Sequence, residues 1–569
     1  MPAALSKQEA DATNDFSGQL AYEDLKFIAS EFHPVGSLHN YNIGKFIHER
    51  LLSIQNDALK SGLSISIFEN LSYDASKEED LLTNVESPGQ IYAVLEGESK
   101  QILMISAHYD SVRNSYGASD NGAGVTVALE ILRKLVAQGK KPLSSIMFFL
   151  NNGEEIRLNG SKWMLKQKIY NRVTKVINLE GGGTGGRSIL FRSNSYSMIA
   201  AYAKVAPFPH MNVAGEKLMR LLGSSTDYDV YVGNVGNAIY VPDVVDVAFY
   251  EGRIHYHTEN DSLDNIGPES VQHMGSNVYK FVEHLAYSGK YEKSVSEPNE
   301  ITFFDILGSS ATVYSTNVQR IISLTIGGVS FVVAYFIWKR RQISLKLFLR
   351  CLSICISFPF VGIIVSFIFN FHSFLIAMFA SEGYKVTWTY HWGTFIGLLV
   401  CLMIAKMLHE IKNIQKETTE LNIESYQKGL IVAILVFTSI LSILTNLIPG
   451  SGSTQSFTNF NIAILIGTIL YLIPFQDQYF FSPLILYTIA CYSLSSVILI
   501  DSCIMLQRVT TMRKMFLLPF LFTSLLHSLS FLSLIPFVIE FEFKSLKKSL
   551  IFIAFVHFIF IIVAISLGV

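Results

Sequence analysis

The sequence predicts an α/β fold over roughly its first 300 residues, followed by a multi-span α-helical membrane domain. Three observations carry this. In the first part apolar strand-like runs alternate with helix-period segments, the pattern of an α/β sandwich. After about residue 320 the chain turns to Leu, Ile, Phe, Val and Ser in blocks of about 20, the length a bilayer core demands of a helix. Between the two, charges and turn residues thin out abruptly. A division follows of 1–20 as an N-terminal tail, 21–300 as the α/β domain, 301–320 as a linker and 321–569 as the membrane domain.

Ile43, Phe46, Ile47 and Leu51 recur at helical spacing ahead of a strand at Leu63–Phe68. Ile91–Leu95 and Ile102–Ala107, separated by Gly97-Glu98-Ser99, read as a hairpin. A helix beginning near Gly124 carries Val125, Leu129, Leu132 and Val136 on one face. Ile146–Leu150 and Val176–Leu179 are further buried strands, and Ser188–Arg192 and Val245–Tyr250 follow. Helices are expected near 160–168, 196–205 and 268–287, the last opened by Pro268 in its first turn. Eight membrane spans are expected, near 321–338, 348–369, 388–407, 428–448, 459–476, 481–503, 515–538 and 549–567.

Of the 569 residues, 44 are Lys or Arg and 46 are Asp or Glu, a net charge of −2, and no basic tract points to nucleic acid. All five cysteines fall in the membrane half, so the α/β half has no disulfide. Met1–Leu20 holds no apolar run of the signal-peptide kind, so export is expected to depend on the first later span or on a segment outside this chain. Lys339, Arg340, Arg341, Lys346 and Arg350 follow that first span, and the positive-inside rule places their loop in the cytoplasm and the preceding domain in a lumen. The sequons at Asn70, Asn159 and Asn260 are compatible with that orientation.

Several strands stop at ionisable residues. His108-Tyr109-Asp110 follows Ile102–Ala107, Glu154-Glu155 follows Ile146–Leu150, and Glu180 closes Val176–Leu179. Asp120-Asn121 precedes the Gly124 helix, and His257 lies beyond Val245–Tyr250. Such residues collect at the carboxyl edge of an open sheet, where α/β folds keep their sites. Two imidazoles and three carboxylates suit zinc, one carboxylate can bridge two ions, and one glutamate of the pair is left over for proton transfer. Gly181–Gly186 satisfies the spacing G-x-G-x-x-G, but a strand follows it where a dinucleotide fold needs a helix.

These segments resemble the M28 family of zinc peptidases, in its membrane-bound branch. The resemblance rests on Ser106-Ala107-His108-Tyr109-Asp110-Ser111, Ala118-Ser119-Asp120-Asn121-Gly122-Ala123-Gly124, Asn152-Gly153-Glu154-Glu155, Asn178-Leu179-Glu180-Gly181 and Tyr256-His257-Thr258, and covers roughly residues 20–290. It implies a three-layer α/β/α sandwich with a mixed eight-stranded sheet. It also implies two zinc ions per chain, held by His108, Asp120, Glu155, Glu180 and His257 with Asp120 bridging. Glu154 would be the general base and Asp110 would orient a ligand histidine. Many members carry Asp where this chain has Glu180. His255 competes with His257 on spacing alone, and the Tyr-His-Thr context favours His257. The implied activity is hydrolysis of peptide bonds by a zinc-activated water, in the exopeptidase manner. Its substrates would be peptides or proteins, at a vacuolar or endoplasmic reticulum membrane. A non-catalytic scaffold of a membrane complex and a single-zinc acyl-transfer enzyme such as glutaminyl cyclase are the alternatives.

Overall fold

The computed structural model describes residues 1–73, 89–222, 224–235, 240–289, 300–306, 308–379, 394–403, 423–448, 454–472, 483–494 and 517–540. The chain divides into two units, Met1–Tyr314 and Ser315–Val569. In the first unit seven strands form one mixed sheet: β1 (Ile65–Glu69), β2 (Ile91–Leu95), β3 (Ser99–His108), β4 (Ser144–Asn151), β5 (Val173–Gly181), β6 (Ile189–Ser193) and β7 (Asp243–Phe249), in the order β1-β2-β4-β3-β5-β7-β6. The four central strands β4, β3, β5 and β7 run parallel, while β1, β2 and β6 add antiparallel edges. From β3 the chain moves to β4 on one side and then returns to β5 on the other. That reversal opens a crevice at the carboxyl ends of β3 and β5.

The central strands are apolar on both faces because both faces are covered. Along β3, Leu103, Ile105 and Ala107 enter the larger core, which includes the helices Gly18–Ile28, Leu38–Lys60, Ala123–Ala137 and Pro268–Tyr287. Ile102 and Met104 point the other way, into a core shared with Met147, Phe149, Met164 and Tyr231. The period of two is the strand's own geometry. The helix at Ala123–Ala137 starts directly after the Asp120 segment, and Pro268 occupies the first turn of the last helix, as its ring favours.

Three expectations are corrected. Ile91–Leu95 and Ile102–Ala107 do not form a hairpin, because β4 lies between β2 and β3. The connecting residues bind the entry to β4 instead: Glu98 N donates to Pro142 O at 2.9 Å and Ser99 N to Leu143 O at 2.8 Å. The N-terminal stretch is not a loose tail. Ser6 and Glu9 form a reciprocal cap on the helix Lys7–Thr13, Phe16 is fully buried, and the amides of Leu5 and Gly18 both donate to Gln272 Oε1 at 2.8 and 2.7 Å.

The third concerns residues 301–320. Ile301–Ile306 (β8) and Ser310–Ser315 (β9) pair as a separate two-stranded sheet. Among the described residues the main sheet therefore has seven strands rather than eight. The segment around Met211 and Asn212 stands between β6 and β8 and makes only single bridges, to Leu190 and Phe304. Main-chain hydrogen bonds run from this segment to both sides, Asn212 N donating to Leu190 O at 3.2 Å and Val213 N to Phe303 O at 3.0 Å.

In the second unit, among the described residues, four helices are long and apolar enough to cross a membrane: Thr316–Arg340, Leu345–Asn370, Glu424–Leu447 and Gln455–Leu472. Shorter apolar helices cover Thr394–Met403 and Pro483–Leu494, and a further helix runs over Leu517–Leu532. The expected spans near 388–407, 481–503 and 515–538 are thus described only in part, and that near 549–567 lies outside the described residues. Side-chain hydrogen bonds tie the helices together. Gln319 Nε2 donates to Thr458 Oγ1 at 2.8 Å, Ser323 Oγ lies 2.9 Å from Ser442 Oγ, and Asn461 Nδ2 donates to Thr438 Oγ1 at 3.0 Å.

Candidate metal centre

The parallel strands deliver their terminal residues to one place. His108 ends β3, Asn151 lies opposite it at the end of β4, and Glu180 is the penultimate residue of β5. The turn after β4 carries Glu154 and Glu155, and the loop after β7 carries His257. His108 Nε2 is 3.2 Å from Asp120 Oδ1 and 3.1 Å from Glu180 Oε1. His257 Nε2 is 3.2 Å from Asp120 Oδ2 and 3.2 Å from Glu155 Oε1. Asp120 therefore offers one oxygen to each histidine, and the ligand atoms of each trio lie within 4.8 Å of one another. All five residues named from the sequence as ligands meet here, and His257 rather than His255 faces the carboxylates.

Each ligand has a local support. Gly181 lets β5 pass close to the Asp120 segment, since a Cβ there would lie 2.7 Å from the Asp120 Cα. Asp120 is held from behind by Asp261, whose carboxylate accepts from Ser119 N at 2.8 Å and Asp120 N at 3.1 Å. His257 takes a left-handed conformation at φ +59°, with its ring stacked on Tyr256 at a centroid distance of 3.7 Å. Behind Glu180, Asn178 Nδ2 donates to Asp246 Oδ1 at 3.0 Å, and Asp246 pairs with Arg192 at 2.8 Å. Arg192 also pairs with Asp229 at 3.1 Å and donates to Thr226 Oγ1 at 2.6 Å. The longer side chain of Glu180 still reaches the site, with Oε1 also accepting from Gly181 N at 3.0 Å.

The electrostatics are those of crowded carboxylates. Burial, then the charge of Asp120, pushes Glu155 up to about 7. Glu180 is pushed up to about 8, mainly by burial. Burial and the neighbouring charge of Glu180 hold Glu154 well above the usual carboxylate range. Burial would lower both histidines, but Glu180, Asp110 and Asp120 hold His108 well above its usual value, and Asp120 and Glu155 raise His257 to about 10. Burial also works against the charge on Asp120, yet the two histidines keep it below the ordinary range.

The donor set fits cations lodged between these groups. His108 Nδ1 lies 3.0 Å from the main-chain oxygen of Asp110, so in the neutral ring that nitrogen carries the hydrogen and Nε2 presents a lone pair. That lone pair faces two carboxylate oxygens, an arrangement a shared cation stabilises. Glu155 Oε1 is buried without a hydrogen-bond partner although it stands 3.2 Å from His257 Nε2.

Asp227 is buried close by and accepts from Asn151 Nδ2 at 2.7 Å. Asp261 had no signal in the sequence, because the amides it holds are 141 and 142 positions away. The glycine-rich stretch is followed by β6, in line with rejecting a dinucleotide site.

Residues 90–282 match the model of peptidase family M28. A vacuolar membrane protease of Schizosaccharomyces pombe is 32% identical over 282 residues, which cover 48% of this chain and 32% of that one. A vacuolar membrane protease of Verticillium alfalfae is 28% identical over 370 residues, covering 54% and 36%. The chain spans about a third of the length of these curated relatives. Among solved structures, an aminopeptidase from Aneurinibacillus sp. aligns with a TM-score of 0.37 at 15% identity, covering 50% of this chain and 98% of that one.

Proposed function

Because residues 90–282 are a peptidase family M28 domain, we propose that the chain is a membrane-anchored zinc peptidase that hydrolyses peptide bonds, aminopeptidase-like and exo-acting. The observation that carries the reading is the shared carboxylate. Asp120 presents one oxygen to His108 and the other to His257, and each histidine faces a further glutamate. His108 and Glu180 would hold one ion and His257 and Glu155 the other, with Asp120 between them.

Zinc in these positions supplies a polarised substrate carbonyl and a water acidified toward neutrality. The remaining work falls to the chain. Glu154 is buried beside these residues and belongs to neither trio, which leaves its carboxylate to take a proton from the attacking water. It then passes that proton to the nitrogen of the leaving amine. Asp110 holds the amides of the Glu154-Glu155 turn, so the base and the ligand beside it keep a fixed separation. Asp261 fixes the backbone of the shared ligand.

Full-length protein purified in detergent is expected to contain two zinc ions and to release amino acids from a peptide panel, with activity lost on chelation and restored by zinc. Zinc-free protein with no turnover after reconstitution would favour the scaffold alternative. The relatives named vacuolar membrane protease, the basic residues Lys339–Arg350 and the apolar helices support a membrane location with the peptidase half in the lumen of the vacuole. Asn260 is exposed, so it is the sequon to follow: a glycan there, removed by Asn260→Gln, is expected in eukaryotic cells. Digestion of residues 1–300 from the cytoplasmic face of intact vacuoles would reverse the orientation.

A further inference from the structure

Two buried arginines near the centre differ in one respect. Arg192, 3% exposed, is matched by the carboxylates of Asp246 and Asp229. Arg253, also 3% exposed, appears in none of the ion pairs among the described residues. Its Nη1 donates to the carbonyl of Gly182 at 2.7 Å, and its Nη2 donates to Ser224 Oγ at 3.2 Å. Its guanidinium lies over the ring of Tyr256 at 4.9 Å. The Nε atom is buried with no partner. A buried cation whose hydrogen-bond partners are all neutral is costly to keep: burial depresses its proton affinity, and the more distant charge of Asp120 offsets this only in part.

The position of this group is as telling as its chemistry. Gly181 abuts Asp120, and the next carbonyl, that of Gly182, holds Arg253. Tyr256 stacks on His257 and also lies under Arg253, so the same aromatic ring touches both the guanidinium and the histidine. Ser224 is half-buried and Ser225 exposed, so the Nη2 side borders a lip open to solvent. Nε and Nη2 share one edge of the guanidinium, the edge that matches a carboxylate with two parallel hydrogen bonds. One of those donors is unused and the other meets only a neutral hydroxyl.

We propose that Arg253 is a specificity-determining residue that binds a carboxylate of the substrate, either the free C-terminus of a short peptide or an acidic side chain. The word substrate rests on the peptidase reading above; the anion site itself does not. Ser224 Oγ serves as the neutral placeholder that the carboxylate joins or replaces.

The test uses zinc-loaded full-length protein in detergent and three probes: the tripeptide Leu-Ala-Ala, its C-terminal amide, and Leu-Ala-Asp amide. Binding is read by calorimetry on Glu154→Gln and hydrolysis on the native protein. The free acid is expected to bind about 10- to 100-fold more tightly than the neutral amide, with the difference falling on KM rather than kcat. If the aspartyl amide matches the free acid, either carboxylate serves; if it matches the neutral amide, the site reads the chain terminus. Arg253→Gln in the Glu154→Gln background should make acid and amide equivalent while retaining zinc, and Arg253→Lys should keep part of the preference. Equal binding of acid and amide by the protein with Arg253 intact overturns the proposal. So does a parallel loss for both peptides in Arg253→Gln, which would mark the guanidinium as a brace for the Gly182 loop. Carboxylate-selective binding without hydrolysis of any peptide would sustain the anion site and remove the peptidase reading.

Discussion

His108 and Asp110 are joined mainly through the backbone. His108 Nδ1 lies 3.0 Å from the main-chain oxygen of Asp110 and 3.5 Å from its carboxylate. The carboxylate is turned to the turn after β4, where it accepts from the amides of Gly153 at 2.8 Å, Glu154 at 3.2 Å and Glu155 at 3.1 Å. One residue thus orients a histidine with its main chain and a pair of glutamates with its side chain. Asp110→Asn preserves the first link and turns an acceptor oxygen into a donor against the amides. Zinc affinity or turnover should fall about 10- to 100-fold, read by chelator competition and peptide hydrolysis. Unchanged values in both measurements would mean that the turn holds its shape unaided.

Glu154 and Glu155 are adjacent yet differ in surroundings, since only Glu155 stands against His257. Glu154→Gln should retain two zinc ions and lose turnover by about 10²-fold or more. Glu155→Gln should lose metal together with activity. Metal analysis alongside turnover separates the two, and near-native hydrolysis by Glu154→Gln would sink its assignment as the base.

A shared ligand makes a stoichiometric prediction. His257→Ala removes a contact from one trio and should leave about one ion per chain, whereas Asp120→Asn weakens both trios and should leave fewer. Equal metal content in the two variants would contradict the bridging arrangement.

The fold itself should be acid-sensitive. Burial, reinforced by His210 and Arg187, holds His273 well below its usual value, and burial pushes His33 down to about 4. A folded-state value below the unfolded one of about 6.5 means that the unfolded chain takes the proton first. Their contribution is therefore complete above about pH 6.5 and is lost as pH falls toward 4. Hydrogen exchange along Pro268–Tyr287, corrected for its intrinsic pH dependence, should accelerate over that window in the native chain. It should do so less in His273→Gln. An identical pH profile in the variant would show that His273 carries none of the effect.

Much of this could be read from residues alone. The buried strands stand where apolar runs end at ionisable groups, and His108, Glu180 and the Glu154-Glu155 pair are legible because a strand end leaves few places for a side chain to go. What was hidden depends on partners remote in the chain. The false hairpin arose because nothing in residues 91–107 reveals that β4, some 40 residues later, inserts between its arms. Asp261 and Arg253 each act on backbone or side-chain atoms far along the sequence, with no local pattern to mark them. The resemblance implies that Asp110 orients a histidine, but nothing near it in sequence marks the amides its carboxylate holds, which lie 43 to 45 positions away.

The hairpin at residues 301–315 carries a practical lesson for anyone who would separate the α/β unit from the apolar helices. Asp305 accepts from His210 Nδ1 at 2.9 Å and from the amide of Met211 at 2.9 Å, and His210 Nε2 lies 2.8 Å from the hydroxyl of Tyr250, where the loop to His257 begins. Phe303 is buried in the same core as the sheet. Cutting at residue 300, where composition invites the scissors, would expose an apolar flank, strand a buried imidazole and slacken the approach to His257. A soluble fragment faithful to the native site has to run to Tyr314.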